Sequence, residues 1–292
     1  MTYEDKVRQA ITLLQSIPQD CPGGVEISYS GGKDSDVILE LAKMAGIPYE
    51  AIYKNTTVDP PGTIKHCLEN GVTVLNPKMS MLQLIEKKGW PTRRARFCCL
   101  ELKEYKVKDR AVQGIRRSES TARAKRYKEP EICRVYSAKE KVRVYLPILE
   151  WTDDDVARFV EERGIKCHPL YYDEDGKFHV ERRLGCIGCP LRADNGVAGF
   201  KKYPKLLRAW IMSGKKYLDS HPGSSAVKKF GNAYNMAYHN LFCDSYQQYL
   251  DKLAKPLFPE YQLVTKDYLE EYFGIKFEVE SETTDPQQCG SD

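Results

Sequence analysis

Residues 23–42 read GGVEISYSGGKDSDVILELA, and the fold follows from how this stretch is divided. Val25 to Tyr29 alternates, is β-prone and is short enough for a strand of a parallel sheet. From Asp36 onward, Val37, Ile38, Leu41 and Ala42 fall on one face of a helix. Gly31 and Gly32 therefore occupy a strand-to-helix turn. The first N–H groups of the helix have no internal partner there and the helix dipole is positive, so the turn suits a phosphate. Glycine lets backbone approach the anion, Ser30 and Ser35 add hydroxyl donors, and Lys33 adds charge. Asp34 either holds the Mg²⁺ that accompanies a nucleotide or caps the helix. A plain capped helix entry accounts for one serine or aspartate. It does not account for two glycines, a lysine and two serines within residues 30–35. The spacing differs from the Walker type, which places more residues ahead of its GK[ST].

Downstream the alternation of strand and helix continues. Ala51 to Lys54 reads as a second strand, and Thr63 to Glu69 as a helix started after Pro60-Pro61-Gly62. Asn55, Thr56 and Thr57 leave the end of that strand, where open α/β sheets place ligands; a loop with capping threonines is the alternative. A helix from about Ser80 ends at Gly89-Trp90-Pro91. Arg93, Arg94 and Arg96 then precede the pair Cys98-Cys99. After a β-like stretch at 110–113, Gly114 to Arg123 interleaves arginines with small polar residues. Arg116, Arg117 and Arg123 there are forked donors suited to phosphate or sulfate. Lys125 and Arg126 read as a solvated face. Val142, Val144 and Leu146 alternate as a strand, and Thr152 with Asp155 forms a capping box for a helix that buries Val156, Phe159 and Val160. Asp153, Asp154 and Asp155 complement that helix's dipole rather than bind metal.

The 10 cysteines carry a second signal. Cys186-x-x-Cys189, set between glycines and followed by Pro190, has the shape of a ligand turn. A redox pair would be expected to open a helix instead. Cys98-Cys99 supplies the other two thiols of a four-thiol set, for a 4Fe–4S cluster, a zinc ion or simple burial. Cys21, Cys67, Cys133, Cys167 and Cys243 lack partner spacing and read as incidental thiols. Without an export-type N-terminus, this cysteine usage argues for a reducing, cytoplasmic setting rather than a disulfide framework. Mean hydropathy is −0.55, and no apolar run approaches the ~20 residues that cross a bilayer. A net charge of +4 is a slight lean towards anionic ligands and falls short of a nucleic-acid signature.

The segment from about Val25 to Leu191 resembles the phosphoadenosine phosphosulfate (PAPS) reductase family of the PP-loop adenine-nucleotide α-hydrolase superfamily. The resemblance rests on SGGKDS, NTTVDPPGT, FCCLELK, GIRRSESTAR, LPILEWTDDDV, HPLYYDE and GCIGCPL in that order. It implies an α/β fold, Rossmann-like, with a parallel sheet, flanking helices and a nucleotide across the strand ends. Phosphates would lie against Ser30, Gly31, Gly32, Lys33, Asp34 and Ser35, with sulfate or phosphate near Arg116, Arg117 and Arg123. The thiols Cys98, Cys99, Cys186 and Cys189 match the iron–sulfur branch. An intact SGGKDS with Lys33 is the form kept by ATP-cleaving relatives, whereas reductases usually carry a degenerate loop. Reductases also need a nucleophilic cysteine near the C-terminus, and Cys289 in DPQQCGSD is the candidate.

Residues 1–195 are thus expected to form the nucleotide domain with its cluster site, 196–278 a helical extension and 279–292 a disordered tail. Tyr203, Leu206, Leu207, Trp210 and Ile211 make an apolar stripe in the extension, while Lys201, Lys202, Lys205, Lys215 and Lys216 offer charge to a nucleic-acid backbone. Three activities fit. One is ATP-driven sulfur transfer with Mg²⁺, a cysteine desulfurase as sulfur source and nucleic acid as acceptor. Another is reduction of adenylyl sulfate (APS) or PAPS to sulfite with thioredoxin. The third is non-catalytic sensing of a nucleotide or cluster.

Overall fold

The computed structural model describes residues 1–18, 20, 23–136, 140–254 and 262–277. The chain divides into two compact units, one of residues 1–84 and 93–189, the other of residues 85–92 and 190–292.

The first unit is built on six strands: β1 (Val25–Tyr29), β2 (Tyr49–Lys54), β3 (Thr73–Leu75), β4 (Arg110–Val112), β5 (Glu131–Val135) and β6 (Lys141–Tyr145). Their order across the sheet is β3-β2-β1-β4-β6-β5, and every pairing is parallel except β5 with β6. The chain therefore moves outward from β1 to β3, then crosses back to β4 on β1's other side. That reversal creates a crevice at the carboxyl ends of β1 and β4, the position where open α/β sheets bind ligands.

The helices of this unit are α1 (Tyr3–Gln15), α2 (Lys33–Ala45), α3 (Thr63–Glu69), the start of α4 (Met81–Lys88), α5 (Phe97–Leu102), α6 (Thr121–Arg126) and α7 (Asp153–Glu162). Val25, Ile27 and Tyr29 of β1 join Ala51 and Tyr53 of β2 in one buried cluster with Leu14, Val37, Ile38, Leu41, Trp151 and Phe159. Residues of α1, α2 and α7 thus share one core with the centre of the sheet. Val142 and Val144 of β6 join a second, smaller cluster with Ala111, Tyr127, Leu146 and Leu149. Glu26 and Ser28 break the apolar run of β1: they hydrogen-bond each other at 2.9 Å, and Lys54 pairs with Glu26 at 3.5 Å.

Local boundaries follow the capping chemistry. Helix α2 starts at Lys33, a turn earlier than the apolar stripe from Asp36 indicates, because Gly32 is extended and serves as its N-cap. Ser80 caps α4 reciprocally with Gln83, and Thr152 caps α7 reciprocally with Asp155.

The second unit contains the end of α4 together with α8 (Val197–Lys202), α9 (Pro204–Ser220), α10 (Ser225–Phe230), α11 (Ala233–Phe242), α12 (Tyr246–Leu253) and α13 (Thr265–Phe273). The apolar stripe of α9 is core: Leu207, Trp210 and Ile211 are buried, Tyr203 and Leu206 half-buried. Trp210 packs edge-on against Phe200 at 5.1 Å and Trp90 at 5.2 Å. Lys201, Lys202, Lys205, Lys215 and Lys216 are exposed, with Lys215 paired to Asp219 and Lys216 to Glu86. Among the described residues no helix is long and apolar enough to cross a membrane.

Entry into β1 depends on Gly24. Its φ is +74°, and an added Cβ would lie 2.1 Å from the Pro48 carbonyl oxygen. Gly46 has φ +65° with open space around it. Gly46→Ala is expected to cost about 1 kcal/mol of stability from the left-handed backbone alone. Gly24→Ala adds a backbone collision and is expected to cost about 3 kcal/mol or more, read from chemical denaturation of the two variants.

Candidate nucleotide and thiol site

The turn between β1 and α2 is short and closely packed. Gly31 has φ +77°, and an added Cβ would meet Thr63 at 2.9 Å and Leu184 at 3.2 Å. A Cβ on Gly32 would meet the Tyr171 hydroxyl at 3.2 Å. Ser35 Oγ donates to the Gly32 carbonyl at 2.6 Å and lies 3.3 Å from Ser30 Oγ. Lys33 is buried, with Nζ 3.2 Å from Asp34 Oδ2 and 5.5 Å from the centre of the Tyr171 ring. Burial pushes the Tyr171 hydroxyl up to about 12, and its oxygen accepts from the Leu184 N–H at 3.2 Å.

The three sequence-predicted arginines part company. Arg116 is 1% exposed. Its Nε donates to Asp34 Oδ1 at 2.7 Å, Nη1 to Ser118 Oγ at 3.1 Å and Nη2 to Asp153 Oδ1 at 2.8 Å. Arg116 therefore joins the loop after β1 to the loop after β4 and to the first turn of α7. Asp153 takes this bond in addition to its place at the α7 dipole. Arg117 turns to Glu150 and to the carbonyls of Tyr127 and Lys128. Arg123 pairs with Glu119; partial burial and then the like charge of Arg183 lower it, with Asp34 acting against them. Arg183, which donates to the Glu119 carbonyl at 2.9 Å, was not singled out by sequence. Its signal is weak there, because one arginine of a pair beside a cysteine turn looks like a solvated charge. Gly114 makes the approach possible: an added Cβ would lie 2.8 Å from the Asp34 carbonyl oxygen.

Beyond the end of β2, Asn55 bonds Asn76 at 2.9 Å and accepts from the Thr57 N–H at 2.8 Å. Thr57 has φ +63°, a costly conformation for a β-branched residue. Thr56 is buried, donates to Asp59 at 2.7 Å and receives Cys186 Sγ at 3.6 Å. Asp59 also accepts from the Tyr53 hydroxyl and has Lys103 Nζ at 3.8 Å. Burial pulls Lys103 down, but Cys186, Asp59 and Cys99 outweigh it and raise the ammonium above its ordinary value.

The four paired cysteines come from α5 and from the 186–189 turn and lie within electrostatic reach of one another. A hydrogen bond with Cys98 and the Arg96 guanidinium draw the Cys99 thiol down to about 6. That same bond, burial, and the charges of Cys99, Cys186 and Cys189 push Cys98 up. Burial holds Cys186 at about 11 in spite of Lys103. Among the described residues no three His, Cys, Asp or Glu side chains converge at single-ion spacing. A four-iron cluster divides its ligands among its irons and needs them around a larger volume than one ion does. Four thiols with Arg96 and Lys103 beside them fit the donor chemistry of such a cluster. Cys67, Cys167 and Cys243 are buried and Cys133 is exposed. Cys21, Cys289 and the tail from residue 278 lie outside the described residues.

The model of the phosphoadenosine phosphosulfate reductase domain matches residues 24–192, more than half of the chain. The chain belongs to that family. An uncharacterized protein of Methanocaldococcus jannaschii is 28% identical over 228 residues, covering 72% of this chain and 53% of that protein. Sulfate adenylyltransferase subunit 2 of Rhizobium etli is 26% identical over 191 residues, covering 53% and 59%. The chain thus spans little more than half the length of either relative. The structure of phosphoadenylyl-sulfate reductase from Candida auris in its phosphate complex aligns with a TM-score of 0.40 at 16% identity, covering 64% of this chain and 88% of that one.

Within this family domain Arg116 holds two carboxylates from different elements. Arg116→Met leaves Asp34 and Asp153 without their shared cation and is expected to cost about 3 kcal/mol. Asp153→Asn, at a half-exposed carboxylate, is expected to cost less than about 1 kcal/mol. Urea denaturation of both variants checks the ratio.

Proposed function

We propose that this protein splits ATP between its α and β phosphates and uses the adenylyl group to activate an acceptor for sulfur transfer. The observation that carries the reading is the buried Lys33 at the head of α2, whose N-cap Gly32 brings no capping side chain of its own. Such a cradle offers amide donors and fixed positive charge to a pyrophosphate leaving group. Similarity to sulfate adenylyltransferase subunit 2, a protein named for adenylyl transfer, supports the same reading.

In this scheme an acceptor oxygen attacks the α phosphorus, the bond to the bridging oxygen of the β phosphate breaks, and pyrophosphate leaves with its charge held by Lys33 and the amides of Gly31 and Gly32. A sulfide-level nucleophile then takes the place of AMP on the acceptor. Ser30 and Ser35 orient phosphate oxygens. Asp34 is drawn between Lys33 on Oδ2 and Arg116 on Oδ1, and its carboxylate would help hold the Mg²⁺ that accompanies the nucleotide. Arg123 and Arg183 supply cations beside the loop. Cys98, Cys99, Cys186 and Cys189 would hold a 4Fe–4S cluster, which when bound supplies sulfur-carrying or electron-carrying chemistry. Thr56 and Asp59 link the end of β2 to Cys186, so the nucleotide and thiol regions share one polar seam. A cysteine desulfurase is the natural sulfur source. The exposed lysines of α8 and α9 favour a nucleic-acid acceptor.

The family match favours a second reading, reduction of APS or PAPS to sulfite with thioredoxin, in which Cys289 would attack sulfur and Arg123 with Arg183 would hold the sulfonucleotide.

Anaerobically purified protein offered Mg–ATP, APS and PAPS in parallel, with reduced thioredoxin, separates the two. Pyrophosphate from ATP without sulfite is expected, and sulfite from APS or PAPS would replace this reading with the second. Lys33→Met is expected to lower the rate of pyrophosphate release by about 100-fold or more. Cys98→Ser and Cys186→Ser are each expected to reduce bound iron and sulfide, measured colorimetrically, while ATP binding persists.

A further inference from the structure

Below the loop, three residues surround one carboxylate. Asp36, one turn into α2, is 4% exposed; Tyr29 at the end of β1 is 3% exposed, and His66 in α3 and Cys167 after α7 are 5% exposed. The Tyr29 hydroxyl donates to Asp36 Oδ1, and His66 Nε2 lies 2.9 Å from the same oxygen. Cys167 lies close enough to act on this carboxylate electrostatically, and the carboxylate's other oxygen, Oδ2, is buried with no hydrogen-bond partner among the described residues. On its far side, the His66 ring is 3.4 Å from Asn70 Nδ2.

The sequence positions give this cluster its meaning. Tyr29 and Asp36 are the residues that flank SGGKDS, so their bond closes the chain around residues 30–35. His66 extends the closure to α3, whose Thr63 fills the space over Gly31. Asp36 N–H also donates to the Gly32 carbonyl at 3.1 Å, the first turn of the helix that carries Lys33. The base of the loop is thus held from β1, α2 and α3 at once.

A cluster of this kind is costly as scaffolding. Burial pushes the Asp36 carboxyl up, against the pull of His66 and Tyr29. Apolar groups of similar volume often fill such a position with equal or greater stability. The polar closure therefore calls for a role beyond packing.

We propose that Asp36 is a positioning residue: bonded to Tyr29 and His66, it clamps the base of the loop and aims Lys33 and the loop amides at phosphate. The proposal rests on the nucleotide reading of the loop and assigns Asp36 no contact with the nucleotide.

Calorimetric titration with Mg–ATP and with inorganic pyrophosphate tests it on wild type, Tyr29→Phe, Asp36→Leu and Asp36→Asn, with the melting temperature of each recorded. Losing one charge-assisted phosphate contact corresponds to about 10-fold or more in affinity. Tyr29→Phe is expected to weaken both ligands by that factor while its melting temperature holds. Asp36→Leu is expected to weaken them as much, with a lower melting temperature because Tyr29 and His66 lose their acceptor. Asp36→Asn, which keeps an acceptor for Tyr29, is expected to keep most of the wild-type affinity. Wild-type affinity in the folded variants, or a loss that follows the melting temperature through the series, would overturn the clamp alone. A wild-type protein that binds neither ligand would overturn the nucleotide reading and the clamp with it.

Discussion

The buried guanidinium of Arg116 organises the rest of this molecule. A β1–loop–α2 unit can offer a phosphate-binding helix end by itself, but its charge must be held in place. Asp34 and Lys33 sit side by side in the first turn of α2 and pair at 3.2 Å. Arg116 takes Asp34 from the other side and anchors it to Asp153 at the start of α7. Three loops from different parts of the sheet are thereby locked at its switch point. Gly114 is the steric condition for that lock, since no side chain fits between it and the Asp34 backbone.

From this point the molecule extends in two chemical directions. One side presents Lys33, Arg123 and Arg183, cations suited to an anion in the crevice. The other leads through Thr56, Asp59 and Lys103 to Cys186 and the remaining thiols. Because Asp59 is shared by Tyr53, Thr56 and Lys103, the end of β2 is stiffened where the two regions join. The strained backbone of Thr57 lies in the same segment and is stabilised by Asn55 and by the Met81 N–H. Its position follows the common pattern in which strain concentrates beside a site.

Much of the fold was legible because the sequence alternates cleanly. A five-residue strand, a glycine turn and an amphipathic helix leave little choice for residues 25–45, and Thr152 with Asp155 fixes the start of α7. SGGKDS and the two cysteine pairs stand out in the sequence for the same reason, since each lies within a short motif. What could not be read was which arginine does what. Arg116 and Arg117 are adjacent and chemically identical, yet one is buried between carboxylates and the other grips the carbonyls of Tyr127 and Lys128. Local sequence does not encode that division, which depends on where β4, β6 and α7 meet. The Tyr29–Asp36–His66 closure escaped for a similar reason: Asp36 looks like a first-turn acid that complements a dipole, and His66 like an ordinary helical histidine.

The role proposed for the SGGKDS cradle is cleavage at the α phosphate. Single-turnover incubation of the anaerobic protein with Mg–ATP labelled in its α phosphate, followed by separation of the labelled products, tests it most directly. Label is expected in AMP or in an adenylylated acceptor, with none in ADP. Label appearing in ADP, or remaining wholly in ATP whatever acceptor and sulfur donor are supplied, would contradict it.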